Sequence, residues 1–293
     1  MQSPGPSRTA AVANGQAQRP TSGSSSKVPP KKLTISLKKE KPKLPDSFEE
    51  ETWSKLRNCI HAVHNKVPVG QSFEELYKAV EDLCVHRLGQ SLYTQLQDEC
   101  RSHIEKGMRG LMSQSTDPVM FLELVNSHWN EHSSQMSLIR SIFLYLDRTY
   151  VIQASNISSI WDMGLTLFRE QLESCAEVYG KVREGVLKLV LLERQGDMVD
   201  RGLVRGVVRM LVELGLYPVL EQAVVRETRD FYREEADAAM RSMDVAAYLA
   251  HVQGRLDQEA DRVTHYLDPA TRRGLLAAVD AELLGAHVTG LVE

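Results

Sequence analysis

Cysteine, aromatic residues and mid-chain proline are all scarce in this sequence. Its 293 residues hold four cysteines, Cys59, Cys84, Cys100 and Cys175, far apart and with no C-x-x-C pair, a pattern that reads as a reduced, intracellular chain. No apolar run approaches the roughly 18–20 residues a membrane helix needs, and the N-terminus has no apolar signal core, so a soluble protein is expected. The sequence also lacks a G-x-S-x-G elbow, a Gly-rich phosphate loop and a clustered Cys/His set. With those routes to chemistry missing, the expectation is a non-enzyme with no catalytic residue, cofactor or metal.

Proline is rare where the chain would fold and common where it would not. Seven of the eleven prolines fall at or before Pro45, and the other four, Pro68, Pro118, Pro218 and Pro269, fall where helices would start, end or turn. Charge divides at the same place. Residues 1–45 carry nine Lys or Arg against one Glu, near +8, while the whole chain is at -4, which leaves the remainder near -12. An arm so basic and so poor in apolar groups cannot offset its ordering entropy, so residues 1–45 are expected to be disordered. Within the arm, Leu33-Thr34-Ile35-Ser36-Leu37 alternates apolar and polar and puts three aliphatic side chains on one face of a strand. The segment 31–38 therefore reads either as part of a disordered tail or as a peptide that orders on another protein.

From residue 46 onward the pattern is helical. Ser47-Phe48-Glu49-Glu50 and Ser72-Phe73-Glu74-Glu75 both have the capping-box spacing, and each precedes an apolar stripe. Asp117-Pro118 and Asp268-Pro269 read as further starts, with Asp as cap and Pro in the first helical position. Helices are expected at about 48–65, 73–87, 90–112, 118–132 and 134–153, then at about 157–173, 176–195, 200–215, 217–242, 244–266 and 269–290. The two series divide the body near residue 165.

Several motifs invite a sharper reading. His128-Trp129-Asn130-Glu131-His132 matches H-x-x-E-H, in which two imidazoles one turn apart hold zinc and the glutamate acts as base. Trp129, however, continues the apolar stripe of Leu122 and Val125, which would leave His128, Glu131 and His132 beside that stripe or in water. His61 and His64 form a similar pair and read as solvated. Gly202 and Gly206 read as close helix packing. The basic arm offers a nuclear-import signal or a phosphate-binding tail, yet without interleaved aromatics direct nucleic-acid binding is not expected. In the helix from Ser134 to Val151, Met136, Ile139, Ile142, Phe143, Leu146 and Tyr150 fill one face while Leu138, Tyr145 and Ile152 widen it. Such a face is either deep core or half of an interface.

Two stretches carry a resemblance. Ser141-Ile142-Phe143-Leu144-Tyr145-Leu146-Asp147-Arg148-Thr149-Tyr150-Val151 and Glu75-Leu76-Tyr77-Lys78-Ala79-Val80-Glu81-Asp82-Leu83-Cys84 resemble, in the right order, two helices of the first N-terminal repeat of cullins. Ser159-Ile160-Trp161-Asp162-Met163-Gly164-Leu165, the Lys31-Lys32-Leu33-Thr34-Ile35 arm, Val199-Asp200-Arg201 and Leu283-Leu284-Gly285-Ala286-His287 resemble the fourth class. The resemblance implies an all-α fold, an elongated stack of five-helix cullin repeats, with a first repeat at 46–165 and a second at 166–293.

It also implies a non-catalytic scaffold of a ubiquitin ligase, acting in the nucleus and cytoplasm in ubiquitin-dependent protein degradation. A triple β-propeller adaptor of the damaged-DNA-binding type would sit against helices two and five of the first repeat. The residues so implied are Leu76, Tyr77, Val80 and Glu81 from one helix and Met136, Ile139, Arg140 and Phe143 from the other. Leu33, Ile35 and Leu37 of the arm would reach into the propeller. Nothing here resembles the third repeat or the C-terminal domain that holds the RING subunit, so the chain is expected to be a truncated form that holds an adaptor without recruiting a ubiquitin carrier.

Overall fold

The structure, a computed structural model, describes residues 47–112 and 117–287. Among these residues every regular element is helical. The first group is α1 (Phe48–His64), α2 (Phe73–Val85), α3 (Gly89–Met112) and α4 (Pro118–Ile142), followed by α5 (Leu144–Leu146), which runs directly into a π-helical turn at Asp147–Val151. Then come α6 (Ile160–Ser174), α7 (Ala176–Arg194), α8 (Arg201–Glu213), α9 (Tyr217–Ser242), α10 (Val245–His265) and α11 (Thr271–Leu283), with a 3-10 turn at Gly285–His287. No described helix is long and apolar enough to cross a membrane. The basic arm, its 31–38 segment and Leu33, Ile35 and Leu37 lie outside the described residues.

Side chains cap five of the described helix starts. Ser72 Oγ accepts the Glu75 backbone N–H at 3.2 Å while Glu75 Oε2 accepts that of Ser72 at 3.3 Å, both halves of the capping box. Asp117 Oδ1 accepts from Val119 and Met120 at 2.7 and 3.1 Å, with Pro118 in the first helical position as expected. Two expected starts differ. Ser47 is already helical in its backbone (φ -84°, ψ -7°) and makes no side-chain cap, so Glu49, Glu50 and Glu51 meet the positive end of α1 instead. Asp268 Oδ1 accepts from Ala270 at 2.8 Å, which closes a turn around Pro269 and delays α11 to Thr271.

The expected break at residue 133 is also absent. Ser134 donates its hydroxyl to the Asn130 carbonyl of its own helix at 2.9 Å rather than capping a new one. α4 therefore continues to Ile142, and the interruption falls at Phe143. This long helix is the hub of the fold: Phe121, Leu122, Val125, Trp129, Met136, Ile139 and Ile142 are buried along it, and it packs against α1, α2, α3, α6, α7 and α8. Where α4 and α7 meet, a Cβ added at Gly185 would lie 2.6 Å from the Pro118 carbonyl oxygen, so only glycine permits that approach. Gly206 likewise lets α8 close on Asn126, as close packing predicts, whereas Gly202 faces only its own cap residue, Asp200. One hydrophobic cluster runs from Leu56 to Leu275 and is continuous through Ile160, Met163, Leu167 and Phe168. A smaller one gathers Tyr232, Tyr248, Val279 and Leu283.

Between α7, α9 and α10 the interior is charged. Arg194 grips Glu259 with both arms, Nε to Oε1 at 2.8 Å and Nη2 to Oε2 at 3.2 Å, and Arg262 Nη1 reaches the same Oε1 at 2.8 Å. Tyr232 donates to Glu259 at 2.7 Å, and Arg194 also donates to Thr228 at 2.6 Å. Burial alone would raise the Glu259 pKa, but the two guanidinium groups and these hydrogen bonds outweigh it and hold the carboxylate below its ordinary value. A network this well satisfied fixes the register of three helices, because sliding any of them would strand a buried charge.

Candidate functional site

α2 and α5 lie side by side and run in the same direction. Tyr77 meets Tyr145 edge to face, with ring centroids 6.0 Å apart and planes at 88°. Further along, the Cys84 thiol, its pKa raised by burial, hydrogen-bonds with Thr149. Gly89 then sits under Tyr150, where an added Cβ would be 3.0 Å from the ring. The outward side of α2 is a row at four-residue spacing, Phe73, Tyr77, Glu81 and Val85, and beside it runs a second row of Ser141 at the end of α4, Tyr145 of α5, Arg148 of the π-helical turn and Ile152 just after it. Apolar side chains are exposed at both ends of the α2 row, Phe73 at 53% and Val85 at 46%, and at the end of the second row, Ile152 at 75%. A π-helical turn at Asp147–Val151 interrupts the α-helical spacing of this second row.

The structure divides the eight implied helix residues. Tyr77 and Glu81 are half-buried on the α2 row and Arg140 is exposed near the start of α5. Leu76, Val80, Met136, Ile139 and Phe143 are a correction: each is at most 2% exposed, so they hold the bundle together and present no atoms to a partner. The physical reason is phase. Leu76 and Val80 are on the α2 face turned to α1 and α4, and Met136 and Ile139 belong to α4, where Met136 packs so tightly on α6 that a Cβ at Gly164 would lie 2.7 Å from its Cε. Sequence reasoning did not assign Phe73, Val85, Arg148 or Ile152 to the surface. The signal for Ile152 was available, since it widens the apolar face just before the polar run of Gln153 and Ser155.

Asp147, inside the most recognisable stretch of the sequence, has a structural task. It is 8% exposed, its Oδ1 accepts the Ile160 backbone N–H at 2.9 Å, and its Oδ2 lies 3.4 Å from Arg140 Nε. A carboxylate from the π-helical turn thus serves the first turn of α6, an anion at the positive end of a helix.

The H-x-x-E-H motif does not assemble a metal site. His132 is buried, against the expectation that it would flank the core or face water, and its Nε2–H donates to the Gly164 carbonyl at 3.1 Å. Glu131 turns away to Lys66 at 2.5 Å, and His128 packs against Phe168. Among the described residues no three His, Cys, Asp or Glu side chains converge as metal ligands. Of the other pair, His61 bonds Glu99 at 2.9 Å, while His64 stacks on His103 with centroids 3.9 Å apart. Burial, reinforced by the neighbouring imidazoles, pushes His64 down to about 3 and His132 down to about 4. These rings are neutral packing elements.

The helical bundle with its paired α2 and α5 agrees with the comparisons with known proteins. The family model of the cullin alpha solenoid domain matches residues 53–293. The chain belongs to the cullin family. It is 41% identical to mouse Cullin-4A over 290 residues, which is 99% of this chain and 38% of that cullin. Against Cullin-4 of Dictyostelium discoideum the identity is 38% over 94% of this chain and 35% of the relative. Against Cullin-3A of Arabidopsis thaliana it is 32% over 84% of this chain and 34% of the relative. The higher identities fall in the fourth class, as the sequence indicated, and this cullin chain spans a little over a third of the length of those curated relatives.

Proposed function

We propose that this cullin chain is a non-catalytic scaffold of a ubiquitin ligase that holds a triple β-propeller adaptor on the outward rows of α2 and α5. The observation that carries the reading is the Tyr77–Tyr145 pair with exposed apolar side chains about two turns further along the same two segments, Ile152 at 75% and Val85 at 46%. Covering one such side chain contributes about 1.5–3 kcal/mol, and an aromatic pair flanked by Glu81 and Arg148 has the composition of an interface anchor with a polar rim. Leu33, Ile35 and Leu37 of the arm would add a second contact inside the propeller. Tethering through two contacts raises affinity by effective concentration.

In this reading the helices at 46–165 and 166–293 form two successive repeats of a stiff spacer. A ubiquitin carrier would reach the assembly through a RING subunit held by the portion of longer cullins that this chain does not match. The scaffold does no chemistry, since it fixes the distance between a substrate and the carrier. It would work in both nucleus and cytoplasm. Hydrogen exchange in the presence of the adaptor tests the assignment: backbone amides in 73–85 and 144–152 should gain protection. Protection confined to α7 through α11 would refute it.

A further inference from the structure

A groove formed by α8, the end of α10 and the start of α11 takes no part in the function proposed above. Arg205, Val208, Arg209 and Val212 recur on one face of α8, and Val263 through Pro269 with Arg272 form the opposite wall of a cavity of about 710 Å³. The floor is apolar, with Val208, Val263, Tyr266 and Leu267 buried, while Val212 stands 43% exposed at the rim. Arg205 donates Nε–H to the His265 carbonyl at 2.5 Å, which ties the two walls together.

The charges here are not balanced internally. Arg209 and Arg272 are exposed and form no ion pair with any described residue, whereas the partly exposed Arg201 and Arg255 each hold a carboxylate. Nearby acids are already engaged: Asp261 pairs with Arg201 and His265, and Asp268 Oδ1 accepts the Ala270 N–H. Only Glu213 in the lining lacks such a partner among the described residues. Two uncommitted guanidinium groups across an apolar trough match an extended chain of carboxylates that also carries a hydrophobic side chain. The chain's own arm, near +8, has the wrong sign to fill it.

We propose that this groove docks an acidic peptide segment of a partner protein, its Asp or Glu side chains bridging Arg209 and Arg272 and one apolar residue resting on Val212. A fluorescein-labelled peptide rich in Asp and Glu with a central leucine is the probe, titrated against the full chain by anisotropy at low and moderate salt. Saturable binding that weakens with salt is expected. The Arg209→Glu plus Arg272→Glu variant should weaken it about tenfold or more with an unchanged circular dichroism spectrum, since one charge-assisted contact is enough for that loss. Replacing the peptide leucine by serine should weaken it as well. Equal binding by the double variant, no saturable binding at low salt, or full displacement by inorganic phosphate would overturn the proposal. So would concentration-dependent dimerisation that the double variant abolishes, because the groove would then belong to a second copy of the chain.

Discussion

Gly180→Ala and Gly185→Ala, two substitutions on the same helix α7, should move stability in opposite directions. Each removes the backbone freedom of a glycine from a helix interior, a gain of about 0.5–1 kcal/mol where the new methyl group meets no obstacle. At Gly180 nothing lies within 4 Å of an added Cβ, so that gain should appear in full. At Gly185 the same atom would be 2.6 Å from the Pro118 carbonyl oxygen and 2.7 Å from Leu122 Cγ. The first of these is backbone, so relief requires the start of α4 to move away from α7, and overpacking of this kind costs about 1–3 kcal/mol. The two variants should therefore differ by about 2 kcal/mol, Gly180→Ala above the parent chain and Gly185→Ala below it. Urea unfolding followed by circular dichroism reads the difference as a shift in midpoint at constant slope. If Gly185→Ala proved as stable as Gly180→Ala, the close α4–α7 contact on which the packing argument rests would be wrong.

Acid should destabilise the fold before carboxylate titration begins. His132 and His64 are held at about 4 and about 3 in the folded chain against 6.5 when free, so the unfolded chain takes up protons first as the pH falls. Their contribution is complete above about pH 6.5 and declines below it, by roughly 2 kcal/mol for each ring at about pH 5. Urea midpoints at successive pH values check this. His64→Gln should flatten the decline, and a midpoint constant from about pH 7 to 5 contradicts it. In the interior of α7, α9 and α10, Glu259→Ala leaves Arg194 and Arg262 buried without their shared counter-charge. A loss of about 3–5 kcal/mol is expected, and an unchanged melting temperature would rule out the network as a structural clamp.

What could be read from the sequence was what short-range chemistry specifies. Ser72 with Glu75 and Asp117 with Pro118 fixed two helix starts because every atom involved lies within one turn. Trp129 was legible as core from the stripe it shares with Leu122 and Val125. The proposed docking face was legible only as a pair of helices. Leu76 and Val80 were expected on that face but lie in the core, because Leu76 and Tyr77 are neighbours in sequence and differ in fate only by rotational phase, which depends on where α1 and α4 lie. Phase on the second helix was harder still, since the break at Phe143 and the π-helical turn after it shift the outward row from Met136 and Ile139 to Tyr145, Arg148 and Ile152. The Arg194–Glu259 pair, 65 residues apart, left no local mark, because buried and exposed charges look alike in a sequence.

These findings change which substitution probes the scaffold reading. Ile139→Asp would place a charge in the core and unfold the bundle, whereas Ile152 can be changed on the surface. The direct measurement is the affinity of a triple β-propeller adaptor for the chain, for Ile152→Asp, and for Leu249→Asp, which alters an apolar residue 48% exposed on α10. The account predicts that Ile152→Asp weakens binding by at least about tenfold while Leu249→Asp leaves it unchanged, with all three proteins equally helical. Equal affinity for Ile152→Asp and the parent chain would contradict the assignment of α2 and α5 as the docking face.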